Sequence, residues 1–180
     1  MSLTKEKQKN IFSALKEKFN YTNTSQSPKI QKVTVSTGVG TTKDKKKIEM
    51  IVDRLSRITG QKPSARVAKK SIATFKLREG EVVGYQVTLR GTRMFDFLDK
   101  LIHIALPRTR DFRGIKTTSI DEMGNISIGI KEHTIFPETS DEELRNVFGV
   151  SITLTTSAKS REEAEVLLRE IGLPLKKDEA

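Results

Sequence analysis

The residues able to do chemistry in this chain are mostly cationic or hydroxylic. Between Lys62 and Arg78 stand Lys62, Arg66, Lys69, Lys70, Lys76 and Arg78, with no acid until Glu79. A run of unpaired cations is the electrostatic footprint of a phosphate-binding loop; the bland alternative is a solvated lysine-rich surface. A second set alternates with apolar residues: Thr34, Ser36, Gln86, Thr88, Arg90, Ser127, Lys131, Ser151, Thr153 and Thr155. Hydroxyls and amides suit phosphate, ribose and base-edge contacts, and arginine adds charge. Threonine also favours any solvated strand, so no single position decides. The combination with the basic segment points to RNA. Phe75 and Tyr85 are the only aromatics nearby, so the stacking motifs of an RRM are missing.

Enzyme chemistry finds less support. Gly38-Val39-Gly40-Thr41-Thr42-Lys43 follows a strand and precedes a helix, as a dinucleotide fingerprint does. Lys43 occupies the third glycine position, however, and no Walker lysine pattern is present. A tight turn that needs positive φ accounts for the glycines. His103 stands near Asp99 and Lys100, and His133 follows Glu132. They lie in different elements without metal-ligand spacing, and both are expected at the surface. Asp141, Glu142 and Glu143 fill the first turn of a helix, where the macrodipole favours acids. The absence of cysteine excludes disulfides, thiolate metal sites and thiol nucleophiles. No catalytic set, metal or cofactor is expected.

The elements that must position these residues follow from periodicity. Helical spacing runs from about Thr4 to Tyr21, from Lys46 to Ile58 with Gly60 as its stop, and from Met94 to Ile104 before Pro107. Alternation predicts four strands, over residues 30–37, 85–90, 126–131 and 150–155. Residues 62–78 and 108–125 read as basic loops, the second with Arg108, Arg110, Arg113 and Lys116. Ser140 with Glu143, and Ser160 with Glu163, have capping-box spacing ahead of two more helices. Interleaved helices and strands with one polar face predict an α+β fold. Its sheet is antiparallel or mixed, with helices packed on one face.

With 180 residues and a net charge of +10, the chain fits one domain, over 1–180, that favours polyanions. No apolar run reaches the ~20 residues of a membrane span. The first twenty residues read as an amphipathic helix, not a targeting segment. A soluble protein in a reducing compartment is expected.

One stretch adds a resemblance. Residues Ile58 to Arg93 read ITGQKPSARVAKKSIATFKLREGEVVGYQVTLRGTR. STGVG at Ser36–Gly40, PRTRDFRG at Pro107–Gly114, FPE at Phe136–Glu138 and TTSAKSREEA at Thr155–Ala164 accompany it. Together they resemble, nearly end to end, the universal large-subunit ribosomal protein family that binds 5S rRNA, in its bacterial type. The resemblance implies a non-catalytic, cytoplasmic role in the central protuberance of the large ribosomal subunit. Implied partners are 5S rRNA, 23S rRNA, the P-site tRNA, neighbouring large-subunit proteins and a head protein of the small subunit. Carried onto this chain, 5S rRNA recognition falls to Ser36, Gln61, Lys62, Thr88 and Arg90, with Arg66, Lys69 and Lys70 from the basic segment. The tRNA-contacting loop comprises Phe75, Lys76, Arg78, Glu79 and Gly80, and the inter-subunit bridge Glu138, Asp141, Glu142 and Glu143. Ser36 departs from the family, many of whose members have asparagine there, with both a donor and an acceptor on a longer arm. The other class compatible with the composition is a basic RNA-binding subunit of an RNA-processing enzyme.

Overall fold

The structure, a computed structural model, describes residues 2–40, 42, 44–139 and 147–176. Alternation builds its sheet. Along β1 (Ile30–Gly38), Val33, Val35 and Thr37 are buried, while Thr34 and Ser36 between them are half-buried. β4 (Ile126–Ile130) buries its three isoleucines and exposes Ser127 and Gly129. β5 (Val150–Thr156) buries Val150, Ile152 and Leu154 and turns Ser151 and Thr153 outward. With β2 (Ser64–Val67) and β3 (Val82–Leu89) the sheet has the order β2-β3-β1-β5-β4. It is antiparallel and open, and the fold is α+β as the sequence predicts.

Four helices are described: α1 (Leu3–Phe19), α2 (Lys45–Thr59), α3 (Gly91–Lys100) and α4 (Arg161–Ile171). The chain divides into two compact units, and the division falls within β1, β4 and β5. Unit 1 comprises Met1–Val33, Arg90–Ile128 and Thr153–Ala180; unit 2 comprises Thr34–Leu89 and Gly129–Ile152.

In unit 1, α1 packs on α3 and α4. Ser2 caps α1 by accepting from the Lys5 N–H, and Thr4 donates to Asp99 from both backbone and hydroxyl. Burial raises the Asp99 pKa, but the hydrogen bonds from Ser2 and Thr4 and the charge of His103 outweigh it, so the carboxyl sits below its usual range. Ser160 caps α4, accepting from the Glu163 N–H at 3.3 Å. The reciprocal arm of the expected capping box goes elsewhere. The Glu163 carboxylate accepts from the Lys159 N–H at 2.6 Å and from the Tyr21 hydroxyl.

In unit 2, Asp44 caps α2, which buries Ile51, Leu55 and Ile58 and ends on Gly60 at φ +68°. That left-handed conformation favours glycine, so the predicted stop is the observed one. The turn after β1 differs from expectation. Neither Gly38 nor Gly40 has positive φ. Gly38 ends β1, the following Val39 donates its N–H to the Val83 carbonyl at 2.9 Å, and the turn then closes with the Thr42 N–H on the Val39 carbonyl at 2.8 Å. Gly84 explains itself by crowding, because a Cβ there would meet the Thr37 carbonyl oxygen at 2.7 Å.

Other departures have local causes. β2 is a fifth strand inside the basic segment, masked by its lysines and too short for a periodic signal. α3 begins at Gly91, before its first apolar residue, because Thr92 and Arg93 are exposed. It runs on as a π-helical turn over Leu101–Ala105. The loop over 108–125 contains a 3-10 turn, Thr117–Ser119. The helix expected from Ser140, with Asp141, Glu142 and Glu143, lies outside the described residues.

His103 is exposed as expected, but His133 is fully buried. Its ring stacks on Phe148 with centroids 4.0 Å apart, and its Nδ1 accepts the Phe148 N–H at 3.3 Å. The His133 N–H in turn donates to the Phe148 carbonyl at 3.2 Å. An imidazole held this way replaces a backbone partner, which outweighs the polarity that suggested a surface site. Burial, the largest cause, lowers its pKa from 6.5; the Phe148 backbone works against it, and the Arg54 charge, the smallest cause, lowers it further. The unfolded chain therefore binds the proton more readily, and stability falls with pH below about 6.5. Urea denaturation should show a midpoint that declines as pH drops through this range, and His133→Gln should flatten that decline.

Candidate nucleic-acid interface

β2 and β3 pair antiparallel, with Ser64 opposite Gln86 and Arg66 opposite Gly84. Directly opposed residues share a sheet face, so Ser64, Arg66, Gln86 and Thr88 lie together. Val87 and Leu89 are buried on the other side. Thr34 and Ser36 on β1 likewise stand opposite the buried Val33 and Val35. The register of β2 and β3 shifts after Arg66, a bulge that ends the short strand.

This polar face is chemically unspent. The hydroxyls of Thr34, Ser36, Ser64 and Thr88 make no hydrogen bond within the described residues, and all four are exposed or half-buried. Arg66 donates from Nε to the Gln86 side-chain oxygen at 2.8 Å. That bond fixes the guanidinium plane and leaves its two terminal nitrogens for another acceptor. In the turn between α2 and β2, Pro63 is buried, Gln61 is half-buried and Lys62 is exposed. The Gln61 backbone pairs with Thr59, and its side-chain amide has no partner among the described residues. Gln61 and Lys62 border an open groove of about 600 Å³ that α2 lines with Glu49, Val52, Asp53, Ser56 and Arg57.

After β2 the chain makes a closed excursion. The Ala68 N–H donates to the Glu81 carbonyl at 2.8 Å, and the Gly80 N–H to the Ala68 carbonyl at 3.0 Å. Further out, Ile72 and Leu77 exchange backbone bonds at 3.0 and 3.2 Å around a 3-10 turn, Ala73–Phe75. The tip presents Phe75 at 75% exposure, too open for any core role, followed by Lys76 at φ +50°. The acids of this excursion do not neutralise its cations. Glu81 accepts the Arg78 N–H, and among the described residues Lys62, Arg66, Lys69, Lys70, Lys76 and Arg78 form no salt bridge.

Unit 2 therefore holds Ser36, Gln61, Lys62, Arg66, Lys69, Lys70 and Thr88, and the loop residues Phe75, Lys76, Arg78, Glu79 and Gly80. Arg90 directly follows β3 but belongs to unit 1, where it is exposed and its backbone begins α3. Glu138 is exposed in a 3-10 turn, Pro137–Thr139. Sequence reading left Ser64 out, because β2 was read as loop; its place opposite Gln86 in the sheet is what identifies it.

Residues 23–78 match the family model described as Ribosomal protein L5, and residues 82–175 match the model of the same family's C-terminus. The chain belongs to the ribosomal protein L5 family. Large ribosomal subunit protein uL5 of Flavobacterium johnsoniae is 50% identical over 177 residues, covering 98% of this chain and 97% of that protein. Proteins of the same name from Mycoplasma mycoides and Mycoplasma capricolum are each 49% identical over 168 residues, covering 93% of both chains. The L5 relationship is to the bacterial type, as the sequence predicts. A member of the L5 family is a structural, non-enzymatic constituent of the large ribosomal subunit, which binds RNA and acts in translation in the cytoplasm.

The unpaired cations give this interface a measurable signature. If roughly six of its side chains meet phosphates, log affinity for RNA should fall with log salt at a slope of about −4 to −5. Lys69→Ala and Lys70→Ala should each reduce that slope by about one unit. Filter binding across a salt series checks both, and a flat response would remove the basic segment from the site.

Proposed function

We propose that unit 2 holds 5S rRNA, with the outer face of β1, β2 and β3 as the reader and the turn at Gln61 and Lys62 as a clamp. The observation that carries this reading is the row of unsatisfied hydroxyls and amides on a wet sheet face beside unpaired cations. Polar groups held in place by a rigid sheet lose little freedom on meeting RNA, and neutral donors read ribose and base edges that charge alone does not distinguish. Ser36, Gln61 and Thr88 are the readers. Lys62, Arg66, Lys69 and Lys70 meet phosphates; Arg90, the residue after β3, rests on the family resemblance alone. Arg66, oriented by Gln86, is suited to a bidentate phosphate contact.

The same reading extends to the family's other contacts. The excursion bearing Phe75, Lys76, Arg78, Glu79 and Gly80 meets the elbow of the P-site tRNA. Its bare aromatic supplies a stacking surface, and the loop closes on itself before reaching the tip. Glu138, with Asp141, Glu142 and Glu143 outside the described residues, forms the acidic side of a bridge to a basic head protein of the small subunit. Contacts with 23S rRNA and neighbouring large-subunit proteins complete the set. Membership of the L5 family favours this reading over a subunit of an RNA-processing enzyme.

Two tests separate these roles. Gln61→Ala and Thr88→Ala should each weaken 5S rRNA binding by about 1–3 kcal/mol if an RNA group is left unpaired. Both are neutral, so the salt slope should stay nearly unchanged. Wild-type affinity in the double variant, with circular dichroism showing an intact fold, would remove the sheet face as reader. Deleting the tip between Ile72 and Leu77 should leave 5S rRNA affinity within about twofold and loosen P-site tRNA on assembled ribosomes; equal loss of both activities would deny the loop a separate role.

A further inference from the structure

Two consecutive 3-10 turns of unit 2, His133–Ile135 and Pro137–Thr139, carry Glu138. Both rest on one carbonyl. The Phe136 N–H donates to the His133 carbonyl at 3.1 Å, and the Thr139 hydroxyl donates to the same oxygen at 3.0 Å. The Thr139 N–H closes the second turn on the Phe136 carbonyl at 3.1 Å. Ile135, Phe136 and Thr139 are buried, and α2 packs against the second turn.

His133 ties this pair of turns to the residues that lead into β5. The Phe148 N–H donates to its Nδ1, the Phe148 carbonyl accepts its N–H, and the two rings stack 14° from parallel. The far side of that contact is pinned, because the Gly149 carbonyl accepts from the Thr37 hydroxyl of β1 at 2.8 Å. The turns are therefore the side able to move. Nδ1 accepts only while the ring is neutral, since both nitrogens of the imidazolium are donors. The Phe148 backbone compensates a charged ring in part, but burial outweighs it, so a proton is taken up more readily once the ring reaches water. Arg54 of α2, 3.6 Å from Asp53, adds a second positive charge against ionisation. Lys131 and Glu132, next to the ring in sequence, and Glu138 in the second turn are exposed to solvent. Thr37, Phe148 and Gly149 bring no titratable group.

We propose that His133 is a pH-sensitive latch, which holds the two turns closed while its ring is neutral, releases them when the ring takes a proton, and so weakens the contact that Glu138 makes with the small subunit. The last part rests on the reading of Glu138 as a bridge residue. The release is local and precedes the loss of the whole fold, because the turns share one anchor while the strands beside them keep their own.

Hydrogen–deuterium exchange of the full-length chain, corrected for the intrinsic rate at each pH, reads the latch directly. Residues 133–139 and the Phe148 amide should lose protection by up to about tenfold per pH unit below about 6.5, while β3 keeps its protection. His133→Gln offers an amide oxygen to the Phe148 N–H and takes up no proton, so it should remove that dependence. Protection that ignores pH, or that changes equally in the variant, would overturn the proposal. Should the variant not fold, NMR titration of the wild-type chain decides, with His103→Gln assigning the other of its two histidines. Loss of Phe148 protection should track the His133 ring, and a protected amide beside a protonated ring would sink the latch. Light scattering reads the bridge: large subunits carrying the wild-type chain should join small subunits more slowly at about pH 6 than at about pH 7.5, by a larger factor than those carrying His133→Gln. Equal responses would break the link between latch and bridge. Glu138→Lys at neutral pH isolates the other reading. If that variant associates at the wild-type rate, Glu138 is no bridge residue, and the exchange map still judges the latch.

Discussion

A sheet with one dry face and one wet face is the constraint on which the molecule depends. Burying Val33, Val35, Val87 and Leu89 on one side fixes register, since a one-residue slip would drive them into water and pull Thr34, Ser36 and Thr88 into the core. The hydrophobic effect thus decides where the hydroxyls stand, although it never acts on them directly. Recognition chemistry inherits its positions from packing. Arg66 shows the next level of control, since the Gln86 side chain orients a guanidinium that would otherwise swing freely.

Electrostatics adds range to that positioning. Several of the described acids serve the protein's own backbone. Glu81 takes the Arg78 N–H, Glu163 takes the Lys159 N–H, and Asp44 caps α2. Carboxylates spent in this way do not neutralise the lysines and arginines around them. The surplus of positive charge stays available to a polyanion, which it attracts from a distance that short hydrogen bonds do not reach.

Much of this was legible in the sequence, for physical reasons that also explain the gaps. β4 begins where predicted and ends one residue earlier, at Ile130 in place of Lys131, because Ile126, Ile128 and Ile130 alternate with small polar residues and little else intrudes. Gly60 was readable as a helix stop because a left-handed residue leaves few choices. β2 was not, since four exposed residues carry no burial signal. His133 misled because polarity predicts exposure, whereas its Nδ1 serves the Phe148 backbone fifteen residues further along the chain. The cations of the candidate site were visible from charge alone. Ser64 needed the pairing with Gln86, which only three dimensions supply.

Unit 1 is assembled from three separate stretches of chain. Lys7 at one end of the sequence donates to the Ile171 carbonyl near the other, and α1 rests on α4. During synthesis α1 emerges early, yet the helix that covers it is made last. At roughly 5–20 residues per second, the interval between the first and third stretches is about 6 to 24 s. Throughout that time α1, which carries the buried Ile11 and Leu15, lacks the α4 part of its packing even after α3 has been made. A nascent chain in this condition is a natural client for factors that shield apolar helices at the exit of the ribosome.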